Sequence, residues 1–224
     1  MVPKMSVAAG LGLAAYLLGA IPFAYLLGRL KGVDIRKVGS GNVGATNVFR
    51  SVGQGWGVCA FALDALKGFV PAFFFPGLFA HVTHEGRALD ELAIAFMLLA
   101  IVGHNWPVYL RFKGGKGVAT SAGGLLGVAP AAVGVGFAVW VIVFAVGRYV
   151  SVASIAAAVA VGAASWWLYS EPGRSLPWAI SALALLIIWR HRSNIQRLRA
   201  GNEHRFSFGS KRTGDGTAQA RRVP

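Results

Sequence analysis

Between residues 7 and 189 the chain passes through apolar stretches of bilayer-crossing length, while its basic residues crowd into the short connections between them. The first stretch, VAAGLGLAAYLLGAIPFAYLL (7–27), is about 30 Å long as a helix, enough to cross a hydrocarbon core. Others follow at 57–80, 89–110, 118–147, 151–169 and 177–189. Inside lipid every backbone polar group needs a partner within its own segment, so these stretches predict an all-α, polytopic transmembrane bundle. Composition agrees, since 55% hydrophobic and 13% charged residues depart from the balance of a soluble domain. Lys4 before an apolar run is also how a signal peptide begins. No small-residue cleavage site precedes the basic loop, so the run reads as a retained helix.

Charge sets the expected topology. Arg29, Lys31, Arg36, Lys37 and Arg50 fall in the first connection, Arg111, Lys113 and Lys116 in the third, and nine Lys or Arg from Arg190 onward. The positive-inside tendency makes all three regions cytoplasmic. An even number of crossings must then separate the third connection from the tail. The stretch 118–147 would run about 45 Å as one helix, too long for a core of about 30 Å, and Pro130 interrupts it. It is therefore expected to form two short or partly inserted helices, making seven in all, with the N-terminus outside and the C-terminus cytoplasmic. The opposite side would carry Lys4, Arg87 and Arg174 against Glu85, Asp90, Glu91 and Glu171.

The net charge of +14 is thus first a topology signal, and no nucleic-acid-binding module accompanies it. Residues 1–205 are expected to form one transmembrane domain, and 206–224 a basic, disordered cytoplasmic tail touching anionic lipid. The single cysteine, Cys59, excludes an intramolecular disulfide and a cysteine metal cluster, and reads as packing. No internal repeat is evident. No closely spaced set of carboxylates or histidines suggests a metal, and no cofactor is expected.

Three connections hold more polar residues than hairpin turns require. In KVGSGNVGATNVFR (37–50), Gly39, Gly41 and Gly44 allow successive N–H groups to converge on an anion, and Ser40, Asn42, Thr46 and Asn47 add donors. Arg50 offers a planar fork for a phosphate or carboxylate. The alternative is a flexible loop with ordinary capping residues. In GHNWPVYLRFKGGKGVATSAGG (103–124), His104 lies near a helix end broken by Pro107, and KGGKG places Lys113 and Lys116 around Gly114 and Gly115. Gly117 follows, before a helix start at Val118 whose free amides favour phosphate. The pattern does not align with a Walker A loop. The alternative makes the lysines topology anchors and His104 an interfacial histidine.

In WRHRSNIQRLRAGNEHRF (189–206), Arg190, Asn194 and Arg197 share one face if a helix continues, and His191 lies three before Asn194. Such a face suits either an anion or lipid headgroups. Glu203 either neutralises the arginines around it or orients one of them. Asp64 and Lys67 are three apart on an apolar helix, a spacing that serves structural pairing or a direct role equally.

Together, GSGNVGATNVFR, LDALKG, GHNWPVYLRFKGGKGVATSAG and HRSNIQRLRAGNE resemble the bacterial acyl-phosphate-dependent glycerol-3-phosphate acyltransferases, over essentially residues 5–206. The resemblance implies transfer of a fatty acyl group from acyl phosphate to the 1-hydroxyl of sn-glycerol 3-phosphate. The products would be 1-acylglycerol 3-phosphate (lysophosphatidic acid) and phosphate, in the first step of bacterial phospholipid synthesis. It implies an enzyme of the cytoplasmic (inner) membrane with its active loops facing the cytoplasm, membrane lipids around it and a soluble acyl-phosphate-producing enzyme as partner.

Carried over by motif, Ser40 and Arg50 belong to the first catalytic loop, Lys113, Gly114, Gly115, Lys116 and Gly117 to a phosphate loop, and His191, Asn194 and Glu203 to a third catalytic region. Gly39, Gly41, Asn42, Gly44, Thr46, Asn47 and Arg190 join the phosphate-binding set. Arg50, Lys113 and Lys116 are then expected to hold phosphates, Ser40 and Asn194 to position the glycerol, and His104 or His191 to bond a hydroxyl or phosphate. The H-x-x-x-x-D dyad of other glycerolipid acyltransferases is absent, since Gly86, Leu89, Tyr109, Gln196 and Gly209 follow the five histidines at that spacing. Either a substrate phosphate or a protein group takes the hydroxyl proton. A transporter for a phosphorylated metabolite is the rival reading; it predicts midplane polar groups and repeated halves, whereas the polar groups here gather toward one face.

Overall fold

The computed structural model describes residues 3–86, 88–171 and 175–206. Arg87, Arg174 and all of the expected tail beyond Phe206 lie outside the described residues. Within them the chain forms ten α-helices and one 3₁₀ turn, with no strand.

The first crossing is a bent rod, α1 (Lys4–Ala20) followed by α2 (Phe23–Leu30). Pro22 supplies no N–H and disfavours helical geometry at Ile21, which places the bend. A short α3 (Ala45–Ser51) lies on the first connection. Then α4 (Gln54–Thr83) runs for 30 residues through Pro71 and Pro76. α5 (Leu89–Asn105) stops two residues before Pro107, and the 3₁₀ turn Val108–Leu110 follows.

The long stretch 118–147 is divided where Pro130 predicts. α6 (Val118–Val128) ends at Ala129, which has φ −147° and ψ 58°, and α7 (Pro130–Gly147) begins on the proline. At 11 residues α6 is about 16 Å long, half of a hydrocarbon core, so it is a partly inserted helix rather than a full crossing. α8 (Val150–Leu168) and α9 (Leu176–Arg190) complete the apolar set, and the basic α10 (Arg192–Arg199) follows after a turn at His191. Five segments are long and apolar enough to cross a membrane: Lys4–Leu30, Gln54–Thr83, Leu89–Leu110, Pro130–Gly147 and Val150–Leu168; α6 and α9 are shorter apolar helices.

α1 packs on α5, α4 on both α5 and α6, α7 on α8, and α8 on α9. The α4–α6 contact is backbone to backbone. A Cβ on Gly68 would collide with the Thr120 carbonyl, and one on Gly123 with the carbonyl of Ala65. This approach draws α6 into the bundle, where Met97, Ile101, Leu125, Ile180, Leu183 and Ile187 form a continuous core. Phe137, Val146, Trp167 and Leu185 remain largely exposed on the outer surface, as lipid-facing side chains do. The starts of α6 and α8, the end of α9 and the first connection meet at one end of the bundle, where the polar residues gather.

Candidate active site

The first connection is built around Asn47, which is 1% exposed. Its amide donates to the carbonyls of Ile35, Asn42 and Val38 at 2.7, 3.1 and 3.2 Å, and its Oδ1 accepts the Ser40 N–H at 3.0 Å. Gly39 and Gly41 take positive φ in the turn that this side chain organises. Asn47 therefore spends its hydrogen bonds shaping the loop. Ser40, Asn42, Gly44, Thr46 and Arg50, with Asn47 itself, line a polar cavity.

That cavity, about 160 Å³, is also lined by His104, Lys116, Gly117, His191, Asn194, Arg197 and Glu203. All three sequence-predicted regions contribute to it. Lys116 Nζ donates to Asn194 Oδ1. Asn194 Nδ2 and the Ser151 hydroxyl both donate to Glu203 Oε1 at 2.7 Å, and Arg197 Nε donates to Glu203 Oε2 at 2.8 Å. Glu203 thus orients three side chains from α8 and α10. Burial opposes its ionisation, but the bonds from Asn194, Ser151 and Arg197 outweigh that and hold its carboxyl below the usual glutamate range.

Burial pulls the Lys116 amine down to about 8; the arginines nearby push the same way, while Glu203 pushes back. His191 Nδ1–H donates to the Ile187 carbonyl at 2.8 Å, which leaves Nε2 as the acceptor. Burial, and then the Lys116 charge, push this imidazole down to about 4, so it is neutral at pH 7. Arg50 donates to the His204 carbonyl at 3.3 Å, tying the first loop to the chain after α10.

Other candidates lie elsewhere. Lys113 is exposed and, like Gly39, Gly41, Gly114 and Gly115, is not among the residues lining the cavity. Arg190 does not share its face with Asn194 and Arg197. The turn at His191 interrupts the helix, and the Arg190 guanidinium donates to the carbonyls of Asn105, Gly114 and Gly115, with Trp106 stacked 5.3 Å away. It fastens the glycine loop to α9. Of the three residues expected on one face, Asn194 and Arg197 line the cavity and Arg190 does not.

Sequence reasoning did not select Ser151, Ser154 or Trp140. Two serines three residues apart at the start of α8, just after Arg148, were the available signal. The Ser154 hydroxyl accepts from Trp140 Nε1 at 3.3 Å and donates to the Val150 carbonyl at 2.8 Å. Trp140 and Ser154 stand where the polar cavity adjoins a second, apolar one of about 460 Å³. Ala45, Thr46, Phe61, Val118, Trp140, Val150 and Ser154 line both cavities. From there the apolar cavity extends past Ala122, Leu125, Ala158 and Ile180 into the bundle. Among the described residues no group of three or more His, Cys, Asp or Glu is placed to hold a metal.

Comparison with known proteins gives a consistent result. The sequence profile of a family described as glycerol-3-phosphate acyltransferase matches residues 9–201. The glycerol-3-phosphate acyltransferase of Aquifex aeolicus is 46% identical over 195 residues, covering 86% of this chain and 95% of its own. That of Synechococcus elongatus is 44% identical, with 88% and 93% covered. A crystal structure of PlsY, an integral membrane glycerol 3-phosphate acyltransferase, in its glycerol 3-phosphate form superposes with a TM-score of 0.79 at 42% identity, covering 89% of this chain and 96% of that one. The lysophosphatidic acid form of PlsY gives 0.77 at 41% identity, over 89% and 95%.

Proposed function

The chain belongs to the glycerol-3-phosphate acyltransferase family and is an integral-membrane enzyme of that activity, and from this we propose that its donor is an acyl phosphate and its product 1-acyl-sn-glycerol 3-phosphate. The observation that carries the proposal is the adjacency of the two cavities across a shared wall. A polar chamber with Arg50, Lys116 and Arg197 suits two phosphates, and the apolar chamber beside it suits an acyl chain. An acyl phosphate has both parts, and its reactive carbonyl lies at their junction.

In the reaction, the glycerol 1-hydroxyl oxygen attacks the acyl carbonyl carbon, the carbon–oxygen bond to phosphate breaks, and inorganic phosphate leaves. Arg50, Lys116 and Arg197 offset the charge of two anions brought together and stabilise the phosphate as it departs. Ser40 and Asn194 orient the glycerol, while Asn47, Arg190 and Glu203 position the loops around it. A phosphate monoester has its second pKa at about 6, and a substrate phosphate oxygen is the acceptor proposed for the hydroxyl proton. The site faces the cytoplasm from the inner membrane, where the basic connections belong by the positive-inside tendency, within one domain over residues 1–205. A soluble acyl-phosphate-producing enzyme supplies the donor.

Purified protein in detergent, given glycerol 3-phosphate and a long-chain acyl phosphate, is expected to release one phosphate per lysophosphatidic acid formed. Turnover of acyl-CoA with none of acyl phosphate would replace the donor. Counterflow of glycerol 3-phosphate in liposomes without acylation would favour transport. The same assay tests the apolar chamber. Ala158→Phe fills part of it, and each methylene left unburied forfeits about 0.8 kcal/mol. Long-chain donors are then expected to lose roughly tenfold or more in kcat/KM, while a four-carbon donor changes little. Equal losses for both donors would move the acyl chain elsewhere.

A further inference from the structure

Three ionisable side chains deep in the bundle take no part in the transfer described above. Asp64 and Lys67 lie one turn apart on α4, and His104 faces them from the end of α5, at 1%, 2% and 7% exposure. Lys67 Nζ is 2.8 Å from Asp64 Oδ1 and donates to the Ile21 carbonyl at 2.7 Å. His104 Nδ1 approaches the same carboxylate oxygen at 3.6 Å. Apolar side chains of similar volume would hold these helices at least as well, and ionisable groups kept within a membrane region are by default functional.

The contacts continue toward the site. His104 Nε2 lies where a Cβ on Gly115 would have to go, so the imidazole sits directly against that glycine. The Gly115 N–H donates to the His104 carbonyl at 3.2 Å. Asp64 and His104 both line the polar cavity, and a further cavity of about 10 Å³, bordered by Lys67, His104, Gly114 and Gly115, lies beside them. One unbroken chain of contacts thus joins the bend of the first crossing to the residue before Lys116.

We propose that Asp64 is a positioning residue, which holds the His104 imidazole under Gly115 and so sets the height at which Lys116 meets a phosphate. Lys67 fixes the acid to the bend at Ile21, so the loop takes its position from the first crossing. The proposal rests on Lys116 as a phosphate ligand. It goes beyond that reading by assigning a role to buried groups that no substrate atom need touch.

Asp64→Asn alone would leave the Lys67 charge unpaired and confuse folding with function. The informative variant is the double replacement Asp64→Asn with Lys67→Met, which removes both charges. It is expected to melt close to the parent, with KM for its phosphorylated substrates raised roughly tenfold. Amides at 114–118 should also exchange with deuterium faster. Parental KM and parental exchange in a double variant that melts normally would overturn the proposal. If the double variant does not fold, Gly115→Ala reaches the same contact from the loop, driving a methyl group toward the His104 ring and the Val43 carbonyl. It should raise the same KM values, and parental values there also overturn the proposal. A parent that does not turn over acyl phosphate refutes the donor instead, while the exchange measurement still tests the network.

Discussion

Lys116→Met is expected to lower kcat/KM for glycerol 3-phosphate by about 10²–10³-fold, the usual loss when one preorganised donor is removed from developing negative charge. The wild-type pH profile tests the same residue without mutation. Lys116 binds an anion only when protonated, and its amine is pulled down to about 8. Its contribution is therefore complete well below pH 8 and is lost as the pH rises through that value. Because kcat/KM reports the free enzyme, that quantity should fall about tenfold per unit above pH 8. A bound phosphate favours the charged amine, so kcat should fall later. On the acid side the substrate phosphate, with its second pKa at about 6, sets the other limb. Lys116→Arg keeps its charge throughout this range, so its alkaline limb should disappear even if its maximum is lower. A parental profile flat to about pH 10 would return the amine to the ordinary lysine range, about 10.4, and the Lys116→Met loss would then decide its part in phosphate binding.

Arg50→Ala should also cost about 10²–10³-fold in kcat/KM, for a partly different reason. Arg50 faces the polar cavity while holding the His204 carbonyl. Its loss removes a planar donor from a phosphate and loosens the segment that carries Glu203. Arg50→Lys preserves the charge but not the fork, and is expected to recover only part of the activity. The unfolding temperature should drop only slightly in both variants, since the bond to His204 is exposed and such bonds are worth about 1 kcal/mol. Near-parental kinetics for Arg50→Ala would reduce the first connection to scaffolding.

Much of the arrangement is legible along the chain because the physics that sets it is local. Apolar length identifies five segments long enough to cross, while 177–189, expected to be another, forms the shorter helix Leu176–Arg190; Pro130 divides 118–147 because a proline lacks an N–H wherever it sits. Glycines, hydroxyls and cations in three connections mark where anion chemistry belongs. Individual roles within those connections are less legible. Lys113 and Lys116 look equivalent in KGGKG, yet one is exposed and the other lines the cavity with its amine on Asn194. Arg190 and Arg197 would lie two turns apart on one face of an uninterrupted helix, but the turn at His191 sends the first to the carbonyls of Gly114 and Gly115 and leaves the second on Glu203.

By itself, then, the sequence determined that this chain is an all-helical membrane protein with its polar chemistry gathered in three basic connections, because hydropathy and charge act on each segment separately. Tertiary structure alone brings Glu203 to Ser151, Asn194 and Arg197, sets His104 beside the Asp64–Lys67 pair, and places the polar chamber against an apolar one. Each of those depends on which side chains distant segments bring within bonding distance. That is set by the close approach of helices at positions such as Gly68 and Gly123, which no spacing along a single segment encodes.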